Sequence, residues 1–241
     1  MLVEYYGVED NFCEWSYIHG VLEHLKLDDN FKIHVVSTTP EWDYREKVVL
    51  DKEKKNVIIG LADEWSSDNI PQEWKDNATV FKAYLKPEQE QGNVHSFPLG
   101  YNKKHTKLPN KPIQSRPIDV FFAGHMASTN RRHYLRWVID YFQDMPKSKR
   151  PNLDFNITRG FNTGLSGKEY SQKLHDAKIV VCPAGNVSME TFRHYEAMRS
   201  GAIVVSPKLP GTKIYKDAAI CQVDDWEGNV GDTIMDLLSD S

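Results

Sequence analysis

The sequence of 241 residues is long enough for one large or two small α/β domains. Its formal net charge is −4, from 30 basic and 34 acidic side chains of interspersed sign, which argues against a nucleic-acid or other polyanion partner. Its three cysteines are an odd number without metal-ligand spacing, and they indicate a reducing compartment. No apolar run approaches membrane-spanning length, and the first residues lack the basic and apolar regions of a signal peptide. We therefore expect no transmembrane segment, and a cytoplasmic protein or a soluble domain cut from a larger one.

The first half of the chain alternates predicted strands with helices. A strand at 2–6 precedes a helix at about 11–27, which is indicated by apolar residues at helical spacing. Four further strands are predicted from apolar, β-branched runs, at 31–37, 56–62, 79–85 and 94–99. Polar, lysine-rich and proline-rich composition then predicts a linker at 106–117, so the first domain is expected to cover 1–105.

The second half, residues 118–241, predicts a second domain of the same kind. Its expected strands lie at 118–123, 153–158, 179–181, 202–205 and 218–223. Its expected helices lie at 131–142, at 167–177 and at 230–238, and a further short helix is expected between the third and fourth strands. This alternation predicts mainly parallel, doubly wound sheets, in which ligands bind beyond the carboxyl ends of the strands.

The stretch 178–207 reads as a buried strand, a small-residue turn, a short helix and a second buried strand. Gly185 and its neighbours permit a tight turn and close approach of a ligand to the backbone. Ser188 or Thr191 can cap the helix, and Gly201 can end it. The free N–H groups and positive dipole end of such a unit suit a phosphate.

Arg193 and Glu196 lie three residues apart and share one helix face with Ser200. An arginine can hold phosphate oxygens, while a carboxylate accepts hydrogen bonds from two ribose hydroxyls. That is the chemistry of a nucleotide-sugar pocket. The alternative is an intrahelical ion pair that contributes only about 0.3–0.5 kcal/mol.

Two motifs of this stretch resemble the C-terminal signature of exostosin-like glycosyltransferases. They are Cys182-Pro183-x-Gly185 and Arg193-x-x-Glu196-Ala197-Met198-x-x-Gly201. The resemblance covers about the last half of the chain. It implies the GT-B fold, in which two Rossmann-like domains flank a cleft and the second domain holds the sugar nucleotide. Many retaining GT-B families carry two glutamates eight positions apart, but Ser188 stands at the first of those positions here, which argues against those families and for the exostosin-like one. Inversion is expected from the exostosin-like resemblance alone.

The resemblance also implies that the strand ending at Gly124, and the arginines after it, contact a diphosphate. Arg131 and Arg132 could instead only decorate the start of a helix, although basic residues oppose the dipole there. Arg159 ends the next strand and is a further candidate. The residues expected to bind the nucleotide are Gly124, Arg131, Arg132, Arg159, Cys182, Gly185, Asn186, Ser188, Arg193 and Glu196.

The first domain is expected to supply the acceptor site and a catalytic base. Asp63 and Glu64 follow the strand at 56–62, and either carboxylate could take the proton of an acceptor hydroxyl. Both could equally be surface or capping acids, and Glu14 and His19 are alternative bases. The sequence has no Asp-x-Asp motif, so we expect no metal site and no required cofactor.

Together these features predict an inverting, metal-independent glycosyltransferase that moves a sugar from a nucleotide-diphosphate donor, with UDP favoured, to a glycan hydroxyl. A nucleotide-sugar epimerase is a second enzymatic option, without a matching acid and base. The alternative from another class is a non-catalytic nucleotide- or carbohydrate-binding module of a larger glycan-synthesis protein.

Overall fold

The computed structural model divides the chain into two compact units. The first unit comprises Met1–Gly100 and Pro210–Asp217, and the second comprises Tyr101–Leu209 and Ala218–Ser241. The structure describes residues 2–7, 15–22, 24–25, 28–39, 42–61, 64, 70–102, 104–126, 128–160 and 163–240. Among the described helices, none has the length and apolar character needed to cross a membrane.

The first unit contains a parallel sheet whose strands follow the order of the chain, β1-β2-β4-β5-β6, with β3 antiparallel to β2 at one end. Valine, isoleucine and leucine make up most of the central strand at Lys55–Leu61, as expected for a strand that is buried on both faces. The elements are β1 Leu2–Tyr6, α1 Trp15–Leu22, β2 Phe31–Thr39, β3 Trp42–Asp43, β4 Lys55–Leu61, α2 Gln72–Asn77, β5 Ala78–Lys82 and β6 Val94–Ser96.

Each face of this first sheet carries its own apolar cluster. Ile18 and Leu22 of α1 pack on one face with Ile33 of β2. Trp74 of α2 packs on the other face with Ile58 of β4. Alternate residues of the central strands therefore point into separate cores.

The second unit contains a five-stranded parallel sheet in the order β11-β10-β9-β7-β8. The chain therefore leaves β7 toward one edge and returns to place β9 on the other side of β7. Its elements are β7 Ile118–His125, α3 Thr129–Asp144, β8 Leu153–Thr158, α4 Gly167–Asp176, β9 Ala177–Val181, α5 Phe192–Arg199, β10 Ile203–Pro207, β11 Ile220–Val223 and α6 Trp226–Ser239.

Helices cover both faces of this second sheet. Val138 of α3 and Ile234 of α6 share one apolar cluster with Val181 of β9. Leu174 of α4 and Ala197 of α5 belong to the cluster on the opposite face. Both units therefore have the predicted α/β architecture with mainly parallel sheets.

Most predicted strands are present, with end points that differ by a few residues. The helix expected at 11–27 is described as a helix only over Trp15–Leu22, and 11–14 lie outside the described residues. The helix expected from 230 begins at Trp226, where the Asp225 side chain accepts a hydrogen bond from the Gly228 N–H. The sequence prediction missed α2 and β3, because six and two residues are too few to show a hydrophobic period.

The segment 106–117, expected as a linker, belongs to the second unit. Arg116 is only 4% exposed, and its guanidinium donates to the backbone oxygens of Lys111, Ala177 and Ser200. Two of those oxygens lie just beyond the C-terminal ends of α4 and α5, where helices leave carbonyls without partners. The proline-rich segment is therefore not a linker between the units, since its Arg116 binds the C-terminal ends of two helices of the second unit.

Candidate functional site

The candidate site lies at the carboxyl ends of β7 and β9, within the second unit. The strand order reverses between these two neighbours, because β8 lies on one side of β7 and the later strands lie on the other. In open parallel sheets such a reversal leaves a crevice in which ligands bind. The loop after β7 and the loop after β9, residues 182–191, border it.

Two arginines at the start of α3 bind the backbone of these loops, and Arg131 joins one loop to the other. Arg131 Nε donates to the Ala184 backbone oxygen at 3.0 Å, and its Nη1 donates to the His125 oxygen at 2.7 Å. Arg132 Nη1 donates to the Met126 oxygen at 2.9 Å. The diphosphate contact expected of both arginines stays a prediction, since the hydrogen bonds that they make go to backbone oxygens of the loops that would surround such a group.

The loop after β9 closes on itself. The Gly185 N–H donates to the Ser188 oxygen at 2.7 Å, and Ser188 Oγ accepts from the Glu190 N–H at 3.1 Å. The Cys182 N–H donates to the Val205 oxygen at 2.8 Å. The backbone N–H groups of Cys182 and Gly185 are therefore both bonded within the protein. Burial raises the pKa of the Cys182 thiol to about 12, which makes it a neutral packing group.

The exposed Asn186 is also tied into this loop pair. Its backbone oxygen accepts a hydrogen bond from Ser128 Oγ at 3.3 Å. The same hydroxyl caps α3 by accepting from the Arg131 N–H at 3.4 Å. The Ser128 hydroxyl therefore couples the N-terminus of α3 to the loop after β9.

Arg193, in the first turn of α5, is the cation of the site and is only 9% exposed. Its Nε and Nη2 both donate to the Ala123 oxygen, and its guanidinium carbon lies 4.6 Å from the centre of the Phe122 ring. Its Nη1 is buried and has no hydrogen-bond partner among the residues that the structure describes. Buried donors are almost always paired, so this N–H group marks a place where a partner is expected.

Gly124 leaves the room that Arg193 occupies. A Cβ at this position would lie 2.5 Å from Arg193 Nη2 and 3.2 Å from the Phe122 ring. Real Cβ contacts of 2.5 Å do not occur, so any larger residue would displace the guanidinium. Gly124, which is predicted to contact the ligand, therefore provides the space that the Arg193 guanidinium needs.

Glu196, one turn after Arg193, is the carboxylate of the site and is 6% exposed. Its Oε2 accepts from the Tyr170 hydroxyl at 2.9 Å, and its Oε1 lies 3.4 Å from the Asn102 N–H donor. Burial raises the pKa of Glu196, while the Tyr170 hydrogen bond and the Arg193 charge oppose that rise. The expected pair of one cation and one carboxylate on α5 is therefore present and buried.

Sequence reasoning missed two side chains near this pair: Tyr170, which bonds to Glu196, and His194, which is buried on the same helix. His194 Nδ1 accepts from the Thr191 N–H at 3.1 Å, and its Nε2 donates to Ser206 Oγ at 2.8 Å. Burial lowers the pKa of His194 to about 4, so the ring is neutral. Tyr170 precedes its partner by 26 positions, and no local pattern marks such a pair.

The other predicted site residues are not part of this cluster. Arg159 is exposed in the bend after β8. Glu64 is partly buried in a turn beyond the carboxyl end of β4, in the first unit, and Asp63 lies outside the described residues. Within the described part of the chain, no three His, Cys, Asp or Glu side chains are grouped as a metal site would need.

The arrangement in the second unit combines a buried carboxylate, two loops at a strand reversal and a buried guanidinium, one N–H of which has no partner in the described part of the chain. A guanidinium can bind an anion, and a carboxylate can accept from ligand hydroxyls. The cluster can therefore hold a small molecule that carries both groups. In comparisons with protein-family models and with curated proteins, the chain matches none.

Proposed function

We propose that this protein is a glycosyltransferase that takes a sugar from a nucleotide-diphosphate donor, with UDP favoured, and transfers it to a hydroxyl of a glycan. The proposal includes the GT-B class, exostosin-like, with the second unit as the donor-binding domain. The observation that carries it is the buried Nη1 of Arg193 at the strand reversal, which has no hydrogen-bond partner among the described residues. A phosphate oxygen is the partner that best fits such a group, because charge-assisted bonds between guanidinium and phosphate are strong.

Glu196 supplies the second half of the argument. A nucleoside diphosphate carries an anion at one end and a ribose with two neighbouring hydroxyls beside it. The Glu196 carboxylate lies one helical turn from Arg193 and is held by Tyr170. One cation and one acceptor on the same face of α5 match those two parts of the donor.

The reaction would break the bond between the anomeric carbon and the donor phosphate while the acceptor oxygen forms a new bond to that carbon. The nucleoside diphosphate leaves with the electron pair, and a base takes the acceptor proton. Arg193 would stabilise the negative charge that develops on the leaving group. Asp63 and Glu64 remain the predicted bases, and inversion remains the predicted stereochemistry.

The experiment is a thermal-shift screen of the protein against UDP, GDP, CMP and their sugar conjugates, repeated with Arg193→Ala and Glu196→Ala. A ligand at a hundred times its Kd stabilises the folded state by about 2.7 kcal/mol, which is a readily measured shift. We expect one nucleotide family to give a shift that both substitutions abolish. Arg136→Ala, which removes an exposed guanidinium paired with Asp140 on α3, should keep the shift.

Turnover then separates the two classes of function. A transferase releases nucleoside diphosphate from the selected sugar donor in the presence of an acceptor glycan, and Asp63→Asn or Glu64→Gln lowers that rate while binding persists. Binding without release with any acceptor would point to the non-catalytic module. The absence of a shift with every nucleotide would contradict the proposal altogether.

A further inference from the structure

Tyr170 on α4 holds the Glu196 carboxylate by a direct hydrogen bond. Its hydroxyl donates to Oε2 at 2.9 Å, and its ring packs at 6.2 Å, between ring centres, from the buried Phe121 of β7. Burial and the adjacent carboxylate raise the pKa of Tyr170 well above its ordinary value, so the phenol stays a donor. The orientation of this carboxylate is thus set by a side chain that is itself fixed by the core.

Among the described residues, each oxygen of Glu196 accepts from one donor and keeps a second lone pair. A carboxylate offers about four lone-pair sites, and Tyr170 uses one on Oε2 while the Asn102 N–H approaches Oε1 at 3.4 Å. Two hydroxyls on adjacent ring carbons can each donate to one oxygen of a single carboxylate. If the carboxylate group rotated about its bond to Cγ, it would lose the hydrogen bond to one of these two hydroxyls.

We infer that Tyr170 is a positioning residue that holds Glu196 for the paired hydroxyls of a ribose, and that it thereby sets the preference for a ribonucleotide over its 2′-deoxy counterpart. The inference rests on the proposed function, because it concerns the same site. It adds a specificity that neither Arg193 nor the loops provide, since phosphates are identical in the two nucleotides. Without the Tyr170 bond, the buried acid is also easier to protonate, and a protonated carboxyl no longer accepts from two hydroxyls at once.

The test is isothermal titration of the full chain at neutral pH with UDP and 2′-deoxy-UDP, and with GDP and 2′-deoxy-GDP. We expect the wild type to prefer the ribonucleotide roughly tenfold to a hundredfold, as for loss of one hydrogen bond to a charged group. In Tyr170→Phe the preference should shrink to a few-fold, while the affinity for the 2′-deoxy nucleotide stays the same. Tyr141→Phe is the matched control, since it removes another tyrosine–carboxylate bond, to Asp232, and should keep the wild-type preference.

Each other outcome overturns the inference in a recognisable way. An equal loss of affinity for both nucleotides in Tyr170→Phe would assign Tyr170 to packing alone. A wild type that binds through Arg193 but does not distinguish ribose from deoxyribose would overturn the inference and leave the proposed function standing. No binding to any of the four nucleotides by the wild type would overturn both, and Arg193→Ala in the same titrations tells these cases apart.

Discussion

At the scale of single residues, the site depends on where one guanidinium lies. Arg193 reaches from α5 to the end of β7, where the Ala123 oxygen takes two of its donors and leaves Nη1 unpartnered among the described residues. An unsatisfied buried donor costs about 1–3 kcal/mol of stability in the free protein. A ligand that satisfies it recovers that cost, which favours the bound state.

Gly124→Ala should weaken nucleotide binding to nearly the same degree as Arg193→Ala. The added Cβ would lie 2.5 Å from Arg193 Nη2, and the flexible end of that side chain must move to relieve the clash. Because the atom that moves is not backbone, we expect the fold to persist, with a loss of about 1 kcal/mol or less in the free energy of unfolding. Titration calorimetry and urea unfolding measure the two effects.

The double variant decides whether Gly124 acts through Arg193. If it does, adding Gly124→Ala to Arg193→Ala costs no further affinity, and the coupling energy is equal in size and opposite in sign to the effect of the single glycine change. Additive losses would show that the glycine contacts the ligand by another route.

At the scale of elements, His194 joins the N-terminus of α5 to β10 through Thr191 and Ser206. Burial lowers the pKa of His194 to about 4, whereas the unfolded chain binds the proton near pH 6.5. The unfolded state therefore holds more protons between these values, and the free energy of unfolding falls as the pH drops from about 6.5 toward 4. His105, whose pKa burial also lowers to about 4, acts in the same window.

His194→Gln should flatten this pH dependence. Over that window the wild type loses up to about 3 kcal/mol of its free energy of unfolding through His194. The variant lacks this pH-dependent loss, and at pH 8 it is less stable than the wild type. Urea unfolding at intervals between pH 4 and 8 gives both slopes. Equal slopes for the wild type and His194→Gln would refute the assignment.

Arg116 shows how two helix ends depend on one side chain. Arg116→Ala leaves the backbone oxygens of Lys111, Ala177 and Ser200 without this donor, and we expect a loss of about 3 kcal/mol or more in the free energy of unfolding. Arg116→Lys should recover only part, because one ammonium cannot reach three separated oxygens. Both values come from urea unfolding.

Arg150→Ala is the matched control for Arg116. Arg150 donates to the Gln143 and Met145 oxygens at the end of α3, but it is partly exposed, so water can replace it. We expect a loss of about 1 kcal/mol or less. Equal losses at the two arginines would mean that burial does not set the cost.

The elements could be predicted from the sequence where the signal is local. Ile179 to Val181 form a strand because β-branched apolar residues suit a strand buried on both faces, and Arg193 and Glu196 share a face because three residues make nearly one helical turn. The bonds that make these residues a site could not be predicted. Tyr170 and the Ala123 oxygen come from other elements, so only the folded sheet brings them to α5.

At the scale of the whole molecule, the second unit is interrupted in sequence. Pro210–Asp217 belongs to the first unit, although residues on both sides of it belong to the second. In this insertion the Lys213 N–H donates to Glu90 Oε2 at 2.7 Å, and Glu90 Oε1 accepts from Ser96 Oγ at 2.6 Å. A short return of the chain thus supports the end of the first sheet.

Lys213→Pro should loosen the first unit near β6. Proline removes the N–H that Glu90 accepts, and its fixed φ suits the first position of the short 3₁₀ turn at Lys213–Tyr215, after Thr212 in an extended conformation. We expect faster hydrogen exchange in residues 90–96, corresponding to about 1 kcal/mol. Lys213→Ala removes the charge and keeps the N–H, so it should retain most of the protection; equal exchange in both variants would contradict this role.

The interruption also sets the order in which the protein can be completed during synthesis. About 110 residues separate Gly100 from Pro210, so a ribosome adding about 5–20 residues per second exposes the first hundred residues for several seconds before the returning segment exists. During that interval the Glu90 carboxylate awaits a donor that has not yet been translated. A stop codon between positions 101 and 209 would leave both units incomplete, whereas one after position 217 would interrupt only the second unit.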